Sequence, residues 1–216
     1  MPLPSAALQR GTREQEEDAD DTAEVHRIAQ VDDLSLIHIY YRALAQASLL
    51  PIILYNVPGR TASNMSAEVT LRLARDFKNI VGIKEASGNL DQISTILKHA
   101  PKDFLVISGD DSLTLPILAL GGHGVISVVG NALPKEFSAL VTAGLSGDLA
   151  TARREHFKLL EFMSAIFAEG NPGGIKEALA ILGICEKHLR LPLVNVGEAT
   201  AKRIYQCMAD AEVVKL

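Results

Sequence analysis

The sequence predicts an α/β fold with parallel strands, and three observations predict it. Four short apolar runs, Ile52 to Asn56, Ile80 to Glu85, Phe104 to Asp110 and Gly124 to Val129, each lead through a turn into a segment of helical period. Their starts, at residues 52, 80, 104 and 124, are spaced as βα units are spaced. Beyond residue 146 only helix-period stretches follow, about 147–168, 172–184 and 197–211, and these read as an appended helical subdomain over 146–216.

Each element has its own local signal. Residues 1–36 are dominated by Glu14, Glu16, Glu17, Asp18, Asp20, Asp21 and Glu24 with few large apolar side chains. Such a segment cannot offset the entropy of ordering and is expected to stay flexible, a solvated acidic tail in preference to an interaction arm. Tyr40, Leu44 and Ala47 then fall at helical spacing and predict a short amphipathic helix over 37–48. Between the strands, Ser66 precedes a helix over 67–77 and Asn89 one over 90–99, while Pro134 stands at the start of one over 135–143. All three are first-turn residues of the expected chemistry.

Composition narrows the function. A formal charge of -5 and no cluster of Lys and Arg argue against nucleic acid, whose binding depends on neutralised phosphates. No run reaches the roughly 18 apolar residues of a membrane span, and the N-terminal stretch is acidic where a secretory leader is basic, so a cytoplasmic protein is expected. Cys185 and Cys207 lack metal or redox spacing and are expected to be inert thiols.

Chemistry is sought at the C-terminal ends of the strands, where a parallel barrel projects its catalytic side chains. Alternation puts Ile53 and Tyr55 on one face of the first strand, and Gly82 and Lys84 on one face of the second. A lysine in a buried strand is penalised as an ammonium and favoured as a neutral amine, the nucleophile that forms a Schiff base with a ketone. A lysine snorkelling to solvent is the bland alternative, weakened here by the preceding glycine and apolar flanks. For Tyr55 the bland alternative is a core aromatic with a satisfied hydroxyl. Asp110 and Asp111 follow the third strand without further metal-ligand spacing, so capping of the next helix is preferred to metal binding. The glycines at 121, 122 and 124 lack the dinucleotide spacing and are read as permitting a tight turn, which disfavours a nucleotide-binding domain.

The motifs Tyr55-Asn56-Val57-Pro58-Gly59-Arg60-Thr61 and Gly82-Ile83-Lys84-Glu85-Ala86-Ser87-Gly88 resemble the dihydrodipicolinate synthase family, in the pyruvate-dependent class I aldolase superfamily. The resemblance continues through Ser108-Gly109-Asp110-Asp111, Gly124-Val125-Ile126-Ser127-Val128 and Leu189-Arg190-Leu191-Pro192-Leu193, covering about 49–216. It implies the last four βα units of a (β/α)8 barrel over 37–145. By the same resemblance Lys84 is the Schiff-base lysine, Tyr55 a proton relay and Arg60 the receiver of a substrate carboxylate. Gly109 and Ile126 would line the pyruvate pocket through backbone atoms. The implied reaction condenses pyruvate with aspartate semialdehyde in the diaminopimelate route to lysine, without metal or organic cofactor, in a homo-oligomer that is a tetramer in the family. The Pro-Gly-Arg-Thr turn favours the synthase over neuraminate lyase or sugar-acid aldolases.

Residues 1–36 resemble none of the family, and the family's first half-barrel has no counterpart. A truncated or misjoined coding sequence is expected, with two unpaired strand edges and an uncovered apolar face prone to aggregation or self-pairing. Two hypotheses remain, a Schiff-base lyase or a non-catalytic half-barrel assembly partner, and covalent capture of pyruvate at Lys84 separates them.

Overall fold

The computed structural model describes residues 36–214, and the flexible acidic segment expected ahead of them lies outside those residues. The first described element, α1 (Leu36–Ala47), belongs to a unit distinct from the one that begins at Ser48. The helix stands where periodicity predicts it, with a different face covered. Tyr40 and Leu44 are exposed and so is Ala47, whereas His38 and Ala45 are buried. Spacing identifies which side chains share a helix face and leaves open which face is covered.

From Ser48 onward the order is β1 (Ile52–Asn56), a single turn α2 (Pro58–Thr61), α3 (Ala67–Asp76), β2 (Ile80–Glu85), α4 (Leu90–His99), β3 (Leu105–Ser108), α5 (Thr114–Ala119) and β4 (Gly124–Val125). A 3-10 turn over Val129–Asn131 leads to α6 (Pro134–Leu145), α7 (Leu149–Ala165), α8 (Gly173–Ile181) and α9 (Glu198–Asp210). The four strands are parallel and pair in sequence order, so among the described residues β1 and β4 are the edges. Leu54, Ile83 and Val106 are fully buried on one face, where α3 packs on β2 and α4 on β3. On the other face Ile53, Tyr55 and Leu105 remain 37 to 45% exposed, the uncovered side of a partial barrel.

The helix starts form as their residues dictate. Ser66 Oγ accepts the Val69 N–H, Asn89 Oδ1 accepts the Gln92 N–H, and Asp148 Oδ1 accepts the Thr151 N–H at the head of α7. Two expectations need correction. The fourth strand stops after two residues, because the Asp111 carboxylate takes the N–H groups of Val128 and Val129, both at 3.0 Å, and Ser127 Oγ takes that of Gly130. Side-chain acceptors thus replace the ladder there. For the same reason Asp111 caps a distant turn and not the next helix, whose N-cap, Leu113, has no side-chain bond. That helix, α5, follows the third run as the repeating pattern expects, and Pro116 sits in its first turn, where a missing N–H costs nothing.

Packing is continuous across residues 145 and 146, where a subdomain boundary was expected. One buried cluster joins Val129, Leu133 and Leu140 to Leu159, Phe162 and Ile204. His156, on α7, is also buried, its Nδ1 has no hydrogen-bond partner, and burial holds its pKa below the ordinary value. A depressed histidine contributes stability that is present above its unfolded pKa of about 6.5 and is lost as pH falls through the folded value, because the unfolded chain then binds the extra proton. His156→Leu is therefore expected to flatten the acid-side fall in melting temperature. Thermal scans of both proteins between about pH 7 and pH 5 read the difference; parallel curves would refute it.

Candidate active site

The parallel register decides which strand-end residues meet. Tyr55 on β1 lies opposite Lys84 on β2, and Lys84 lies opposite Ile107 on β3. Lys84 Nζ sits over the Tyr55 ring, 4.2 Å from its centroid, the placement in which an aromatic face attracts a cationic group. The contact is to the ring face; no hydrogen bond joins the phenol to the amine among the described residues. Lys84 is partly exposed, so the full burial expected of a mid-strand lysine is not met: the sheet face bearing it is the open one.

A cleft of about 870 Å³ opens at these strand ends, and Tyr55, Arg60, Lys84 and Gly109 all line it. Arg60 reaches it from α2, where the Val57-Pro58 turn lifts it to the rim, and it has no ion-pair partner among the described residues. Ile126 does not join them. It follows β4 on the exposed edge, 47% accessible, with its N–H given to Ser108 O. The Gly109 N–H is likewise given to Glu85 O at 2.8 Å, and among the described residues the carbonyls of these two residues accept no hydrogen bond between separate elements.

The far wall of the cleft is formed by Leu160, Met163 and Ser164 of α7 and by Phe167, Gly170 and Asn171 beyond it. Sequence reasoning missed these residues, because nothing in a helix-period pattern marks which helix folds back over the strand ends. Asp110 and Asp111 are also at the cleft, and burial raises the Asp111 pKa against the bonds from Ser127, Val129 and Val128 that lower it. Among the described residues no three His, Cys, Asp or Glu side chains gather as metal ligands. The free thiols of Cys185 and Cys207 stand apart from the cleft lining.

Gly109 is required by close approach. A Cβ there would stand 2.8 Å from Ala86 Cβ and 3.0 Å and 3.1 Å from Cε and Cγ of Lys84. Gly109→Ala is expected to lower stability by about 1–3 kcal/mol, the usual cost of overpacking, read by chemical denaturation. An unchanged midpoint would show that Lys84 can move aside freely.

The model of the dihydrodipicolinate synthetase family matches residues 33–211, so the likeness begins earlier than the strand motifs and takes in α1. The 4-hydroxy-tetrahydrodipicolinate synthase of Phocaeicola vulgatus is 50% identical over 177 residues, 82% of this chain and 60% of that protein. Among solved structures, the dihydrodipicolinate synthase of Thermotoga maritima superposes with a TM-score of 0.80 at 40% identity, over 82% of this chain and 61% of its own. That of Acinetobacter baumannii, solved in complex with pyruvate, gives 0.79 at 34%, over 82% and 60%. The chain thus spans about 60% of the length of the relatives it matches. With the family model matched over residues 33–211 and half-identical sequence over most of its length, the chain belongs to the dihydrodipicolinate synthetase family.

Proposed function

We propose that this chain carries the Schiff-base half of a 4-hydroxy-tetrahydrodipicolinate synthase, a lyase of the class I aldolase type acting on pyruvate and aspartate semialdehyde in lysine biosynthesis. The observation that supports it most is the register pair Tyr55–Lys84, which places an amine and a phenol side by side at the strand ends of one open cleft.

In this reading the Lys84 amine adds to the pyruvate ketone and, with one proton taken up, the carbinol oxygen leaves as water, giving an iminium. Loss of a methyl proton turns the iminium into an enamine, whose carbon then attacks the aldehyde carbon. Tyr55 hands protons to and from these centres once the amine moves from the ring face toward the hydroxyl edge. Arg60, at the rim and without an ion-pair partner among the described residues, takes a substrate carboxylate, for which a guanidinium has matching geometry. Gly109, which lines the cleft, contributes its backbone carbonyl, whereas Ile126 stands outside the lining and takes no part in this reading. The chemistry needs no metal or organic cofactor. A cytoplasmic location and assembly into a homo-oligomer belong to the same reading; among the described residues no helix is long and apolar enough to cross a membrane.

The test is peptide mass spectrometry of the folded chain after pyruvate and borohydride, in which hydride reduction of the imine fixes pyruvate as a secondary amine. An adduct mapped to Lys84 supports the proposal. No adduct from folded protein would remove it and favour the second reading, a non-catalytic half-barrel assembly partner, for which the exposed Ile53, Tyr55 and Leu105 face already speaks.

A further inference from the structure

Directly behind the cleft, on the face of the sheet that the helices cover, the residue after Tyr55 and the residue after Lys84 are both polar and buried. Asn56 and Glu85 are 2% and 0% exposed and lie opposite one another in the β1–β2 register. Neighbouring positions on this face hold Leu54, Ile83 and Val106, the aliphatic residues such a layer ordinarily takes. A carboxylate there is strongly penalised unless donors surround it, so its presence calls for a reason other than packing.

The donors are there. The Ser87 N–H donates to Glu85 Oε1 at 2.8 Å and Gln92 Nε2 donates to Oε2 at 3.1 Å. Asn56 Nδ2 reaches both carboxylate oxygens at 3.1 Å and 3.2 Å. None of the ion pairs among the described residues involves Glu85. Asn56 in turn accepts the Met65 N–H at 3.0 Å and meets Asn64 Oδ1 at 2.9 Å, while Asn64 Nδ2 donates to Gln92 Oε1 at 3.0 Å.

One carboxylate is therefore one or two hydrogen bonds from the end of β1 bearing Tyr55, from the segment that follows Arg60, and from the first turn of α4. It sits on the strand that bears Lys84. Successive strand side chains leave on opposite faces, so fixing Glu85 fixes the direction in which Lys84 departs. The last pair of a parallel ladder is also where fraying begins. Here that pair is held by the Asn56–Glu85 bonds behind it and by Ala86 N–H to Asn56 O at 2.8 Å.

We propose that Glu85, acting through Asn56 and Gln92, is a positioning residue that sets the mutual placement of Lys84, Tyr55 and Arg60 without entering the cleft. The proposal rests on the Schiff-base reading above. Among the described residues every hydrogen-bond partner of the carboxylate is a donor, and a glutamine would turn an amide nitrogen toward them.

The experiment follows the rate of borohydride-trapped pyruvate adduct at Lys84 in the full chain, as a function of pyruvate concentration, in three proteins. Glu85→Gln is expected to slow trapping at saturating pyruvate by about tenfold or more, with half-saturation changed less than about threefold, the signature of a misplaced reacting group. Leu140→Ala, a core deletion at a residue that does not itself line the cleft, is expected to lower the melting temperature at least as much and trap at the parental rate. Should Glu85→Gln not fold, Gln92→Leu, which removes one donor, is expected to show the same split in smaller degree. Parental trapping by the folded Glu85 or Gln92 variant would overturn the positioning role alone, as would equal slowing by Leu140→Ala. A folded parent that is never labelled at Lys84 would overturn the Schiff-base reading and this proposal with it.

Discussion

Lys84→Ala is expected to abolish the pyruvate adduct, not merely to reduce it. Among the described residues Lys84 is the one lysine lining the cleft, and the other cationic group there, Arg60, has a guanidinium that does not form a stable imine with a ketone. Truncation also removes the group over the Tyr55 ring while leaving the sheet intact, because Lys84 lies on the partly exposed face and contributes nothing to the buried layer of Leu54, Ile83 and Val106. Stability should therefore change little, within about 1 kcal/mol, as for surface substitutions. Lys84→Arg should be as silent as the alanine variant, since charge is kept and nucleophilicity is not. The readout is the fraction of Lys84-containing peptide modified after borohydride, against the unselective labelling of lysines elsewhere. A Lys84→Ala protein still carrying parental amounts of adduct at another position would refute the assignment.

The largest loss of stability is expected at Gly174. A Cβ on this residue would come within 2.1 Å of the Ile166 carbonyl oxygen and 2.6 Å of its C and Cα, all backbone atoms that no rotamer change can move. The second residue of α8 is in effect packed against the chain leaving α7, and only glycine permits that approach. Gly174→Ala should cost about 4 kcal/mol or more, in the range reserved for gross steric conflict. Its neighbour provides the contrast. At Gly173 a Cβ would meet Val196 Cγ1 at 3.3 Å and Val194 O at 3.4 Å, contacts that small shifts relieve. Gly173→Ala should therefore stay within about 1 kcal/mol of the parent, helped by the better helix propensity of alanine. Denaturant midpoints of the two variants measure this, and similar midpoints would refute it. Because Phe167, Gly170 and Asn171 of the same connection line the cleft, the Gly174 variant should also lose the cleft wall.

The partial barrel has a chemical consequence for Lys84. In a closed barrel the sheet face bearing this lysine would be interior. Here Ile53, Tyr55 and Leu105 on that face are substantially exposed, and Lys84 is partly exposed with them. Covalent capture of pyruvate thus tests whether the cleft formed by α7 and its following loop is enough by itself to set up the reaction.

Local physics made much of this protein legible in its sequence. Strand positions follow from apolar runs and helix starts from Ser66, Asn89 and Pro134, because caps, proline and period act within one turn of chain. The strand-end placement of Tyr55 and Lys84 was equally legible, since alternation along a strand needs no knowledge of its neighbours. Other features were decided only when distant segments met. Asp111, which looked like a cap for its own helix, ends β4 instead, because its carboxylate is brought to the N–H groups of Val128 and Val129. Glu85 reads in sequence as the residue after a lysine, and only the register with Asn56 and the arrival of Gln92 make it a buried hub. The cleft wall from α7 belongs to the same class. Periodicity assigns side chains to a common face, whereas what covers that face is a matter of which surfaces find each other in three dimensions, and that is decided by packing between residues far apart in the chain.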